Sequence, residues 1–200
     1  MKTKKIIIGE LLFLFVLLLV MICTNDIEWV DTNIYEWIMT IRSDIFDNFF
    51  KLITKAGNVI PVMCITVICL LLWKKKERYM LGISIIITVL SNQAIKRMVQ
   101  RPRPDHVRLI TERGFSFPSG HSMIAVALYG FLIYYVYKNV DNKYWKVILM
   151  TLLSLLIVGI GCSRIYLGVH YPSDVIAGFS LALVILIMVI DWCYKNIKGE

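Results

Sequence analysis

Three short polar stretches interrupt an otherwise apolar chain: "KRMVQRPRP" at 96–104, "PSGHS" at 118–122 and "SRIYLGVHYPSD" at 163–174. Among their residues, three cations (Lys96, Arg103, Arg164), two imidazoles (His121, His170) and one carboxylate (Asp174) could do chemistry together. Guanidinium forks match phosphate oxygens in bidentate fashion, and an ammonium adds a compact charge. Pro118, Ser119 and Gly120 stand just before an apolar run, which makes Ser119 an N-cap and leaves Gly120 open to close backbone approach. The free N–H groups of such a helix start attract anions. His170 and Asp174 are four apart, so on a helical backbone the carboxylate holds one ring nitrogen and leaves the other free to attack. Pro172 suits that geometry only in a first turn. His121 has no carboxylate in its own cluster and fits protonation of a leaving oxygen. The set predicts phosphoryl transfer through a covalent phosphohistidine, with cations and N–H groups stabilising the transferring group. No metal and no cofactor are required by this chemistry.

Each stretch alone has a plainer explanation: an interfacial histidine, loop charges, an ordinary helix start. Arg97, Arg101, Arg108 and Arg113 are assigned to headgroup attraction rather than to chemistry. Asn92 and Gln93 either line the pocket or pair between helices. A two-histidine metal site conflicts with the clustered cations, which would repel a divalent ion.

The surrounding sequence says what must position these residues. Of 200 residues, 58% are hydrophobic and only 18% charged, against about 25% charged in a soluble domain. Apolar runs near the ~20 residues that span a bilayer recur along the chain. The fold class expected is all-α: a single polytopic membrane domain, 1–200, with six transmembrane helices in a bundle near 6–23, 57–73, 80–95, 121–137, 147–162 and 175–192. Residues 2–23 imitate a signal peptide, but the run is long and lacks a small-x-small site, so an uncleaved first helix is expected. Between spans one and two, the helical spacing of Trp37, Ile38, Ile41, Ile45, Phe49 and Leu52 predicts an interfacial helix within 28–53.

Charge placement sets orientation. Lys2, Lys4 and Lys5, then Lys74, Lys75, Lys76 and Arg78, then Lys138, Lys143 and Lys146, then Lys195 and Lys198 all fall on one side of six spans. By the positive-inside rule that side, with both termini, is cytoplasmic. The first outer loop carries Asp26, Glu28, Asp31, Glu36, Asp44 and Asp47 against Arg42, Lys51 and Lys55. Trp73, Trp145 and Trp192 mark the inner boundary and Trp29 and Trp37 the outer one. The three polar stretches then emerge together at the outer face of the cell membrane. The net charge of +8 is explained by these loops, and without a nucleic-acid motif no nucleic-acid partner is expected. The five cysteines make no C-x-x-C pair and are read as small buried thiols.

The three stretches resemble the signature of the type 2 phosphatidic acid phosphatase family, membrane lipid phosphatases related to vanadium haloperoxidases. Lys96 with Arg103-Pro104 matches its first part, Pro118-Ser119-Gly120-His121 its second, and Ser163-Arg164 with His170 and Asp174 its third. The match runs over 96–174 without departure. The resemblance implies that His170 is the nucleophile, Asp174 its orienter and His121 the general acid. Lys96, Arg103, Ser119, Gly120 and Arg164 would bind phosphate, without a metal. The layout is similar to compact bacterial members acting on phosphatidylglycerophosphate or undecaprenyl pyrophosphate. A lipid phosphate substrate in the bilayer is therefore expected; which lipid, and the oligomeric state, stay open. Two rival classes stand beside this one. Vanadate-dependent peroxidase chemistry belongs to soluble relatives, and a non-catalytic lipid-binding or transport protein would need the cations but not an acid and a nucleophile.

Overall fold

An apolar segment in lipid must satisfy its own backbone, which a helix does within one stretch. Every regular element among the described residues is helical. The computed structural model describes residues 2–105 and 107–197, with every side chain among them but that of Lys75. Lys198, counted above with the inner basic group, lies outside the described residues.

The order is α1 (Lys2–Cys23), α2 (Glu28–Thr40), α3 (Asp44–Lys55), α4 (Val59–Leu72), α5 (Lys75–Val99), α6 (Gly120–Asn139), α7 (Lys143–Tyr166) and α8 (Pro172–Asn196). A π-type turn, Val126–Gly130, sits inside α6. Helices α1, α5, α6, α7 and α8 are long and apolar enough to cross a membrane. The remaining expected span, 57–73, forms only the 14 residues of α4, bent by 41° from α3. Six crossings follow if α3 and α4 are taken as one broken span.

α8 is the axis of the bundle: 61% of its most apolar window is buried, against 17% for α1 and for α7. Helices α1, α5 and α6 pack along it. Small residues let helices approach closely where apolar burial gives no drive between them. A side chain at Gly161 on α7 would collide with the Phe179 ring of α8, and one at Gly130 would press on Leu186. The outward rows, Phe13, Leu72 and Leu155 among them, form the lipid-facing surface. Two cysteines, Cys69 and Cys193, are buried as expected; Cys23, Cys64 and Cys162 lie instead on exposed helix faces, and all five are free.

The interfacial segment differs from the single helix expected over 28–53. It is two helices, because Ser43 is extended (φ −157°, ψ 158°) and its hydroxyl accepts from the Phe46 N–H as the N-cap of α3. Ile45, Phe46, Phe49 and Leu52 of α3 are exposed, whereas Ile38 of α2 is buried. Arg42 in the break donates to the carbonyls of Val107 and Tyr166, tying the pair to the 100–119 loop and to the end of α7.

Candidate active site

The third stretch is built from the end of α7, a turn, and the start of α8. Gly168 turns the chain at φ +74°, where a Cβ would stand 2.7 Å from the Val107 carbonyl oxygen, so only glycine fits. His170 lies in this turn, before the helix, because Tyr171 is extended (φ −75°, ψ 153°) and Pro172 opens α8. The expected one-turn helical pairing of His170 with Asp174 is therefore replaced by another geometry. Asp174 sits in the first turn of α8 and reaches back, its Oδ2 accepting from the Tyr171 N–H at 2.9 Å and from His170 Nδ1 at 3.4 Å. The Ser116 hydroxyl donates to the same oxygen, and Arg101 Nη1 donates to Oδ1 at 2.7 Å. Asp174 is fully buried, and these four donors satisfy it.

The partners also fix the tautomer of His170. Arg103 Nη1 lies 3.2 Å from Nε2 and can only donate, so Nε2 accepts and Nδ1 carries the proton toward Asp174. Burial pushes His170 down to about 4; Asp174 pulls the other way, and Arg164 and Arg103 add to the fall. The ring is neutral at pH 7 with its lone pair on Nε2, directed at Arg103 beside the cavity, the unprotonated state a nucleophile requires.

Arg103 is held by backbone: Nε donates to Gly114 O at 3.0 Å, Nη1 to Val169 O at 2.8 Å and Nη2 to Arg113 O at 3.0 Å. Lys96, in the last turn of α5, donates to the carbonyls of Phe115 (2.5 Å) and Ser116 (3.2 Å). The left-handed Gln100 (φ 52°) then ends α5 and sends the chain across the bundle. Ser119 caps α6 as expected, accepting from the Ser122 N–H and hydroxyl, and is fully buried. His121, in the first turn of α6, meets Asn58 Oδ1 through Nε2 at 2.9 Å. Gly57 makes room for that ring, since a Cβ there would stand 2.9 Å from His121 Cδ2.

One cavity of about 370 Å³ is lined by Lys96, Arg103, Gly120, His121 and His170, so the three stretches do converge. Arg97, Arg113, Asn92 and Gln93 line it as well. Asn92 also pairs between helices, its amide donating to Met123 Sδ of α6 at 3.3 Å and to the Pro118 carbonyl at 3.0 Å, so it does both of the things expected of it. Arg164 is placed differently. It is 1% exposed and lines an adjoining cavity, with Nη1 on Thr54 Oγ1 at 2.7 Å and Nη2 on the Glu112 carboxylate. Glu112 lines both cavities and occupies part of the fork that an incoming phosphate would use.

Residues 79–198 match the sequence model of the PAP2 superfamily, which covers the whole of this cavity's three-part motif. The chain belongs to the PAP2 superfamily. It is 34% identical over 185 residues to phosphatidylglycerophosphatase B of Bacillus subtilis (strain 168), covering 89% of this chain and 91% of that protein. Lipid A 4'-phosphatase of Bacteroides thetaiotaomicron is 31% identical over 74% of this chain and 70% of its own length. The crystal structure of a transmembrane PAP2-type phosphatidylglycerolphosphate phosphatase from Bacillus subtilis superposes with a TM-score of 0.86 at 30% identity, over 96% of this chain and 97% of that one. The chain is thus an enzyme, a membrane lipid phosphatase of this superfamily.

Within this PAP2 fold, five residues at the site escape the three-part motif. Arg101, assigned above to headgroup attraction, instead bridges two buried carboxylates, donating to Asp174 and, through Nη2 at 2.8 Å, to Asp31. Burial works against its charge, yet Asp174 and Asp31 hold its pKa above the usual value. Asp31, counted as an outer-loop charge, is 1% exposed and also accepts from the N–H and hydroxyl of Ser173. Ser116, Glu112 and Asn58 complete the set. The double Arg of "RPRP" was the one signal available in the sequence; the others are unremarkable by type and spacing.

Proposed function

We propose that this single domain, 1–200, removes the terminal phosphate of a lipid at the outer face of the cell membrane, with both termini cytoplasmic. The substrate is phosphatidylglycerophosphate or a polyprenyl pyrophosphate such as undecaprenyl pyrophosphate. The observation that carries the reading is the opening of both imidazoles onto one cavity that also holds Lys96 and Arg103. His170 Nε2 attacks the phosphorus, forming the P–N bond as the P–O bond to the lipid breaks. His121 gives a proton to the departing oxygen, then takes one from the water that hydrolyses the phosphohistidine. Asp174 holds the Nδ1 proton and stabilises the charge that develops on the ring. Lys96 and Arg103 stabilise the equatorial oxygens, joined by Arg164 when Glu112 yields its fork, and Ser119 keeps the N–H groups of α6 in place around Gly120. Cations and N–H groups of this kind can supply the electrostatics without a metal.

A second cavity of about 410 Å³ favours a lipid over a soluble monoester. It lies between α4 and α5, lined by Val62, Met63, Ile85, Val89 and Ile124, and meets the catalytic cavity at Asn92, Gly120 and His121. An acyl or prenyl chain fits such a slot while its phosphate faces His170. Phosphate release from the three lipids phosphatidylglycerophosphate, undecaprenyl pyrophosphate and phosphatidic acid by purified protein tests the assignment. His170→Ala should abolish release with the thermal midpoint retained, and EDTA should leave the unaltered protein active. Turnover by the alanine variant would refute the nucleophile, and loss of activity in EDTA would refute metal independence.

A further inference from the structure

Beside the catalytic cavity lies a larger one, about 650 Å³, lined by Asn48, Lys51, Thr54, Lys55, Thr111 and Arg164 among others. The two are contiguous through Glu112, which lines both, and through Asn58, which lines the larger one and holds the ring of His121. His121 is the group that protonates the departing oxygen, so whatever is attached to that oxygen extends toward Asn58. Its lining is not that of a lipid-tail slot. Three cations, Lys51, Lys55 and Arg164, face one carboxylate, Glu112, which is already bonded to Arg164. No ion pair joins Lys51 or Lys55 to a carboxylate among the described residues. Arg164 is 1% exposed, and its Nε is buried with no hydrogen-bond partner among the described residues, an arrangement that costs free energy unless a ligand completes it.

We propose that this cavity is a subsite for a second phosphate of the substrate lipid, with Lys51 and Lys55 of α3 as its specificity-determining residues. The proposal rests on the reading above and sharpens it: the enzyme prefers lipids bearing two phosphates, the second being a phosphodiester or the inner phosphate of a pyrophosphate beyond the scissile bond, to those bearing one. Amphipathic interfacial helices often carry lysines merely to meet headgroups. Here Lys51 is half-buried and shares its cavity with the unpartnered edge of Arg164, which a headgroup outside the protein would not reach.

Binding rather than turnover provides the test, so that it survives any failure of the hydrolytic assignment. In the His170→Ala protein, micellar phosphatidylglycerophosphate, undecaprenyl pyrophosphate and phosphatidic acid are titrated at fixed ionic strength. One half-buried lysine and one exposed lysine, acting together, predict about tenfold tighter binding of one or both two-phosphate lipids. Lys51→Ala with Lys55→Ala should bring that ratio to within about twofold of one, and Lys51→Arg with Lys55→Arg should keep it. Loss of preference for the diester lipid alone, or for the pyrophosphate alone, identifies which second phosphate occupies the site. Equal affinity for all three lipids in the starting protein, or a ratio untouched by the double alanine variant, overturns the proposal. A protein that binds with this preference yet releases no phosphate when His170 is present would instead refute the hydrolytic reading alone.

Discussion

Replacing Arg101 with alanine tests the most consequential contact outside the signature. Its guanidinium donates at 2.7 Å to Asp174 and at 2.8 Å to Asp31, and both carboxylates are essentially buried. Removing one partner of a buried ion pair leaves an uncompensated charge and costs about 3–5 kcal/mol of stability. The effect on catalysis is separable. Asp174 keeps its bonds from Ser116, Tyr171 and His170 but loses its only permanently cationic donor. A charge-assisted hydrogen bond contributes about 1.5–3 kcal/mol. At 1.4 kcal/mol per decade, kcat should fall by roughly 10- to 100-fold. KM should hardly move, because Arg101 does not line the catalytic cavity, whereas Arg103→Ala should raise it. The assay is steady-state phosphate release in detergent micelles, paired with thermal unfolding. Adding Asp31→Asn to Arg101→Ala removes one of the orphaned charges, so stability should partly return while kcat stays low. Wild-type kcat in Arg101→Ala, or recovery of kcat in the double variant, would refute the idea that Arg101 acts by positioning Asp174.

Two further outcomes follow from the geometry. With His106 and His121 replaced by glutamine, His170 is the only histidine left, and its ring shifts should titrate near pH 4 in the folded protein. Between pH 6.5 and 4 the unfolded chain then binds a proton that the native state refuses, so stability declines as pH falls through that window, by about 3 kcal/mol in all, and is flat above it. A midpoint at or above 6.5 would mean that the ring is not buried against Arg103. Gly57→Ala places a methyl 2.9 Å from His121 Cδ2 and 3.0 Å from Ile160 Cγ2. Because a displacement of about 1 Å can cost 100-fold, kcat should drop at least tenfold with the fold retained; unchanged turnover would show that His121 need not hold its place beside Asn58.

The residues of the motif could be read directly from the chain because each is specified by local pattern. Lys96, Arg103, Ser119, Gly120, His121, Arg164, His170 and Asp174 sit at fixed spacings next to helix ends. Helix ends are where free N–H groups and polar side chains must lie in a bilayer protein, so apolar run length alone places them near a membrane surface. Run length also predicted the all-helical bundle. It failed where local capping overruled periodicity, at Ser43, whose extended backbone splits the interfacial segment into α2 and α3. It failed again at α4, whose 14 residues are continued only by a bend.

Other assignments were beyond any local signal. Asp31 and Arg101 are 70 residues apart, Ser116 and Asp174 are 58 apart, and Asn58 and His121 are 63 apart. As written, Asp31 is one of several outer-loop acids and Arg101 one of several arginines. What distinguishes them is burial, which forces a polar group to find a partner wherever packing brings one. The sequence by itself determined that the chain lives in a membrane and carries the groups for phosphoryl transfer, because hydropathy and motif spacing act over short stretches. Only the tertiary structure decided which two carboxylates Arg101 bridges, which amide holds His121 and which cations share a cavity, because those depend on how distant helices pack.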